Sequence, residues 1–224
     1  MGILNLTPDS FYEPSRYDMS VLDSGADIID IGAVSTRPGA GAVSLEEEWR
    51  RLEPFLKGLR TDRRISIDTT RAEIVRRSFD LIGPFIVNDV SGGFSDPEML
   101  QTVSSLGLGY IATCPEADPF SFFENHSYEG LDWILDPGFG FGKDVEQNLS
   151  VLERLGELRC FGRPVLVGAA DKRFTNAVEG GTEAVHLSAL KAGADILRVH
   201  DVKKARRTVR LFEESVAEQA GDLV

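Results

Sequence analysis

The sequence predicts an α/β protein folded as a single (β/α)8 TIM barrel over residues 1–224. Three observations predict it. Short apolar, β-branched runs recur eight times, amphipathic helical stretches separate them, and no proline-rich linker or shift of composition divides the chain. The runs are 3–7, 27–32, 64–69, 85–90, 109–113, 133–136, 165–169 and 196–200. Their nearly continuous hydrophobicity suits parallel strands buried on both faces. An open doubly wound sheet is the rival arrangement, but eight regular units suit closure better.

Each connection has its own signal. Ser44-Leu45-Glu46-Glu47 reads as a capping box, and Trp49, Leu52 and Leu56 follow at i+3 and i+4 steps as one apolar stripe. Helical patterns also run over 71–79, 97–106, 145–160, 182–192 and 203–219, with Gly107 and Gly193 where helix C-terminal glycines belong. A chain of 224 residues is near the short end for a fold of about 250 residues. The shortage is concentrated in connections 8–25 and 115–132, with 18 residues each, so reduced or irregular helices are expected after strands 1 and 5.

Charge narrows the partners. Lysine and arginine total 24 against 36 aspartates and glutamates, a net charge of −12, so nucleic acid and anionic bilayers are not expected partners. Any phosphate site must be a local basic cluster in an acidic body. Cys114 and Cys160 are too few and too far apart for a metal cage or a disulfide framework. With no basic leader and no apolar run near the ~20 residues of a membrane span, the expectation is a soluble cytoplasmic protein.

In a barrel of this class the chemistry sits where the strands end. Here polar residues close nearly every run: Asn5 and Thr7, Ser35-Thr36-Arg37-Pro38, Asp68, Asn88 and Asp89, Asp136, Asp171-Lys172-Arg173, and Arg198, His200 and Asp201. Any one of them alone reads as a satisfied core group or a helix cap. Seven strands converging on one rim are better explained by use, because burying so many polar groups costs stability. Asp68, Asn88 and Asp136 are short directional groups suited to the donor–acceptor edge of a flat heterocycle. Arg37, Arg198 and His200 could clamp a phosphate, and Arg198 could also stack on a ring.

The run Asp136-Pro137-Gly138-Phe139-Gly140-Phe141-Gly142-Lys143 invites a phosphate-loop reading. It fails that pattern, because Pro137 stands where the first glycine belongs and Asp144 follows the lysine. The glycines could equally let backbone pass close to a ligand or to a neighbouring loop.

Several stretches resemble the dihydropteroate synthases, a family of pterin-binding barrels. These are residues 1–11 (MGILNLTPDSF), 25–32 (GADIIDIG) with 35–40 (STRPGA), 67–69 (IDT), 87–93 (VNDVSGG), 136–143 and 198–202 (RVHDV). They lie in order across almost the whole chain, and together they are specific. The resemblance implies condensation of 6-hydroxymethyl-7,8-dihydropterin pyrophosphate with p-aminobenzoate, giving 7,8-dihydropteroate and pyrophosphate for folate biosynthesis. It places Asp68, Asn88, Asp136 and Lys172 on the pterin ring, with Arg198 stacked against it. Asn5, Arg37, Arg198 and His200 would hold the diphosphate, Asn5 also reaching Mg2+. Thr36, Pro38 and Phe141 would line the p-aminobenzoate side, and Lys172, Arg198 and His200 would be the catalytic set. The resemblance also implies a homodimer.

The chain departs from the family pattern in four places. Ala169-Ala170-Asp171-Lys172-Arg173 replaces Thr-Ser-Arg-Lys-Ser, Val34 replaces an acidic residue, Cys114-Pro115-Glu116 replaces a His-Met-Arg-Gly-like stretch, and the two short connections are the fourth. Ala170 lacks a hydroxyl expected to meet the p-aminobenzoate carboxylate. Two other readings are therefore weighed: a pterin-binding barrel without turnover, acting as a regulatory or partner subunit, and a methyltetrahydrofolate-type methyltransferase. The second fits poorly with a diphosphate clamp.

Overall fold

The computed structural model describes residues 1–6, 20–34, 41–169, 175 and 180–221. Among them, eight parallel strands alternate with helices: β1 (Gly2–Asn5), β2 (Ile28–Gly32), β3 (Arg64–Asp68), β4 (Ile86–Asp89), β5 (Gly109–Thr113), β6 (Asp132–Asp136), β7 (Leu166–Val167) and β8 (Ile196–Leu197). The helices are α1 (Ser20–Asp23), α2 (Leu45–Gly58), α3 (Ala72–Ile82), α4 (Met99–Leu106), α5 (Pro119–Asn125), α6 (Val145–Glu153), α7 (Gly181–Lys191) and α8 (Val202–Gly221). The alternation is the one the apolar runs predict.

Two compact units carry these elements: Met1–Thr113 with Ser127–Ile134, and Cys114–His126 with Leu135–Val224. In the first, β1 to β5 pair in chain order, with Asn5 opposite Gly32, Gly32 opposite Asp68, and Asp68 opposite Asn88. The register puts Asn5, Asp30, Gly32, Ser66, Asp68 and Asn88 on one face of the sheet. The other face carries Ile29, Ile31, Ile67, Val87 and Tyr110, all fully buried. Leu52 and Leu56 of α2 and Ile74 and Val75 of α3 are buried as well. In the second unit β7 pairs with β8, Leu166 opposite Ile196, and Leu135 at the end of β6 bridges Val165.

The two short connections carry short helices. α5 has seven residues, capped by Asp118, whose carboxylate accepts from the Phe120 and Ser121 N–H groups. α1 has four, and residues 7–19 before it lie outside the described part.

Several expectations are corrected. The helix expected over 145–160 is α6 followed by a 3-10 helix, Leu155–Phe161, because Gly156 interrupts the helical run. β7 and β8 shrink to two residues each. Only half of the capping box of α2 forms: Ser44 Oγ accepts from Glu47 N–H, while the Glu47 carboxylate binds Arg50 and Arg51 instead. The complete box belongs to α6, where Asp144 and Gln147 exchange bonds of 2.8 Å each. Trp49 is half-buried, with the Arg77 guanidinium over its ring. Glu48, which lies outside that apolar stripe, is buried as well, and its carboxylate serves the strand ends.

Candidate active site

In the first unit the strand ends present Asn5, Asp68 and Asn88. Asn5 is exposed at the end of β1. Asp68 and Asn88 end β3 and β4 in register, nearly buried, as neighbouring side chains on one face. Beneath them lies Asp30, fully buried in β2, which accepts from Asn88 Nδ2 at 3.1 Å. Gly32 makes room beside this set, since a Cβ there would stand 3.3 Å from the Asp68 Cβ.

α2 braces the same rim. Its buried Glu48 accepts from Thr69 Oγ1 at 2.7 Å and pairs with Arg71, fixing the chain immediately after Asp68. Arg51 donates to the Ala33 carbonyl at 2.8 Å and so holds the chain leaving β2. Asp89 corrects the sequence reading. It faces the opposite side of the sheet from Asn88, accepting from Ser91 N–H (2.8 Å), Ser91 Oγ (2.6 Å), Gly93 N–H (3.0 Å) and Tyr110 OH (2.9 Å). Burial pushes its carboxyl above the usual range, and those four bonds oppose the shift.

The second unit presents Asp136, Phe141, Arg198 and His200. Asp136 is nearly buried at the end of β6, with Oδ1 accepting from Gly138 N–H at 2.8 Å. Arg198 follows β8, tied by its N–H to the Val167 carbonyl, and Gly168 stands beside its side chain. His200 is exposed two residues on. Thr36, Arg37, Pro38 and Lys172 lie outside the described residues, as do Ala170 and Asp171.

The glycine-rich run proves to be a braced loop. Gly138, Gly140 and Gly142 all have positive φ. The Gly138 N–H goes to Asp136, the Gly140 N–H to Asn148 Oδ1 at 2.8 Å, and the Phe141 N–H to the Gly138 carbonyl. Those donors are used within the loop, so it is no phosphate cradle of the P-loop kind. Lys143 Nζ donates to the carbonyls of Glu116, Gly138 (3.1 Å) and Phe141 (3.2 Å). A Cβ on Gly142 would stand 2.8 Å from the Pro115 carbonyl oxygen. Thus the glycines let backbone approach the segment 114–116. Burial draws the Lys143 ammonium below its ordinary pKa, against the pull of Cys114, Asp136, Asp118 and Glu116.

Asp30, Glu48, Asn148 and the bracing role of Lys143 were not among the sequence candidates. Asp30 had a readable signal, an acid at the centre of the apolar run 28–32, while Glu48 hid inside a helix of many glutamates.

The strand ends of the first unit form a strand-end site on an α/β scaffold, with amide and carboxylate groups suited to a planar polar ring. The family model described as pterin binding enzyme matches residues 1–133 and 123–200, and the chain belongs to that family. Within it, the chain is similar to several dihydropteroate synthases. The Synechocystis enzyme is 37% identical over 91% of this chain and 85% of its own length. The Xanthomonas albilineans enzyme solved with 4-aminobenzoic acid is 34% identical, with a TM-score of 0.85 over 98% of this chain and 92% of that one. The same organism's enzyme in complex with 7,8-dihydropteroate superposes with a TM-score of 0.83 at 30% identity, covering 97% and 93%.

Proposed function

We infer that this chain is a dihydropteroate synthase, a transferase joining 6-hydroxymethyl-7,8-dihydropterin pyrophosphate to p-aminobenzoate. One observation carries the reading: in a member of the pterin-binding family, Asp68 and Asn88 stand side by side, nearly buried, on adjacent strand ends. A carboxylate accepts from a ring amino group and ring N–H, and an amide both donates and accepts, which together match the edge of a pterin. The family resemblance adds Asp136 to the pterin-binding residues, and in its own unit its Oδ1 accepts from Gly138 N–H.

The reaction breaks the C–O bond between the pterin methylene and diphosphate and forms a C–N bond to the arylamine, which then loses a proton. No side-chain nucleophile is required. Arg198 and His200, with Asn5 and Arg37, hold the departing diphosphate and stabilise its growing charge, while Lys172 serves the pterin ring. Asn5 offers one amide oxygen, a hard donor of the kind Mg2+ takes. Among the described residues no group of three or more His, Cys, Asp or Glu is placed to hold a metal ion. Asn5 would be a protein contact for such an ion, whose remaining donors would be hard oxygens of the kind a diphosphate and water supply. When bound, Mg2+ would neutralise charge on the leaving group.

Phe141, with Thr36 and Pro38, lines the p-aminobenzoate side. A homodimer and a cytoplasmic location complete the reading; among the described residues no helix is long and apolar enough to cross a membrane. Static light scattering reads the dimer directly. The test of function is pyrophosphate release from the pterin pyrophosphate with Mg2+, measured with and without p-aminobenzoate. Release that depends on p-aminobenzoate is expected. Pterin binding without release would instead mark the non-catalytic subunit, a reading favoured only by Ala170 and Asp171.

A further inference from the structure

We propose that Asp30 is a positioning residue for pterin recognition: its buried carboxylate fixes the orientation of the Asn88 amide. The proposal rests on the function inferred above and extends it to a residue that does not itself meet the substrate.

Asp30 lies in the middle of β2, fully buried, in register with Ser66 and one layer below the row of Gly32, Asp68 and Asn88. Its neighbours along the strand are Ile29 and Ile31, both inaccessible to water. A carboxylate in such a place is costly to bury, and a hydrophobic residue would serve the sheet better. Its Oδ2 instead accepts a hydrogen bond from Asn88 Nδ2 at 3.1 Å.

The chemistry of that bond decides what Asn88 can offer. A carboxylate accepts and does not donate, so the Asn88 amide must turn its nitrogen down towards Asp30. Its carbonyl oxygen and second N–H are then presented at the level of Asp68. A neutral amide or hydroxyl at position 30 would accept the Asn88 nitrogen or donate to its oxygen equally well. Asn88 could then flip, offering a ring edge the wrong partner half of the time. Asp30 thereby converts a two-fold ambiguous side chain into a fixed donor–acceptor pair, the preorganisation that binding sites gain from supporting residues.

The test is a double-mutant cycle between Asp30→Asn and Asn88→Ala, read on full-length enzyme by steady-state kinetics and by calorimetric binding of the pterin pyrophosphate. Asp30→Asn is expected to raise the pterin KM and Kd about tenfold to a hundredfold, the worth of one hydrogen bond to a charged group. The KM for p-aminobenzoate should stay within about twofold. In the Asn88→Ala background the same change should add less than about twofold, because no amide is left to orient. A merely structural role predicts otherwise: loss on both substrates, of equal size with or without Asn88. That pattern, or unchanged pterin binding in folded Asp30→Asn, overturns the proposal. Should Asp30→Asn fail to fold, Asp30→Ser is read in the same cycle, since a hydroxyl also leaves the amide free to flip. If the wild-type protein binds no pterin, the functional reading fails; if it binds and the variants match it, only Asp30's role does.

Discussion

The two units fix their ligand-facing residues by different means. In the first, side chains hold one another: Asp30 on β2 accepts from Asn88 on β4 across the intervening β3, and Glu48 on α2 secures Thr69 beside Asp68. In the second, side chains hold backbone: Asp136 and Asn148 take loop N–H groups, and Lys143 takes carbonyls. Strand pairing already places Asp68 and Asn88, so their surroundings need only orient them. The 137–143 loop has no ladder of its own, and its shape depends on each brace. Recognition residues in the first unit should therefore be removable without unfolding anything, whereas loop braces in the second should cost function and stability together.

The sharpest test of that contrast is Asp68→Ala. It should raise the pterin Kd by more than a hundredfold, since it removes a charged partner from a ring amino group and N–H at once. The melting temperature should change by only a few degrees, because no packed volume is lost beyond a small side chain at the rim. Calorimetry and a thermal melt on the same sample check both. Unchanged pterin affinity would remove Asp68 from the ring edge.

Gly142→Ala comes next, and here function and stability should fall together. The residue has φ +58°, and the new Cβ would press on the Pro115 carbonyl oxygen. The left-handed conformation alone costs about 1–2 kcal/mol for a residue with a Cβ, and the contact adds to it. Denaturant melts should show a loss of at least about 2 kcal/mol. Gly130 offers the control: it also has positive φ, but a Cβ there meets nothing within 4 Å, so Gly130→Ala should cost only the conformational part.

Lys143→Met should have a smaller effect of the same kind. The variant keeps much of the aliphatic length but leaves three carbonyls without their donor, at roughly 1–3 kcal/mol. With Phe141 no longer held, the KM for p-aminobenzoate should rise more than that for the pterin. Equal shifts on both substrates would show that the loop serves the pterin half as well.

The contrast also explains what was legible in the sequence. Parallel strands buried on both faces write themselves as apolar runs, and their polar ends stand out against them; Asp68, Asn88 and Asp136 were visible for that reason. Asp89 looked the same in sequence as Asn88, but adjacent residues on a strand face opposite sides, and a tyrosine 21 residues on, in the neighbouring strand β5, decided its role. The glycine run showed that a close approach was needed without showing to what. Gly142 answers with Pro115, which is 27 residues distant, and no local pattern encodes that pairing. Lys143 read as the end of a phosphate motif because an ammonium suits an anion, yet three backbone carbonyls satisfy it as well. Glu48 was hidden because helix periodicity marks a buried position by its apolarity, and a buried carboxylate breaks that rule.

The smallest effect on activity belongs to the cysteines, and it reports on the brace from its far side. Cys114 is fully buried beside the Lys143 clamp, and burial pushes its thiol up to about 11 from an ordinary 9. Lys143 opposes that shift only in part. Cys160 is exposed. A maleimide at pH 7.5 should therefore label Cys160 rapidly and Cys114 slowly, since the thiolate is the nucleophile. Labelling one site should leave turnover intact. The stability consequence has a definite sign. A thiol whose pKa is raised by folding favours the folded state fully below pH 9, and that contribution fades as pH rises towards 11. Lys143→Met should open the segment 114–116 and raise the labelling rate of Cys114. If Cys114 reacts no faster in that variant, Lys143 secures only the glycine loop and leaves 114–116 to other contacts.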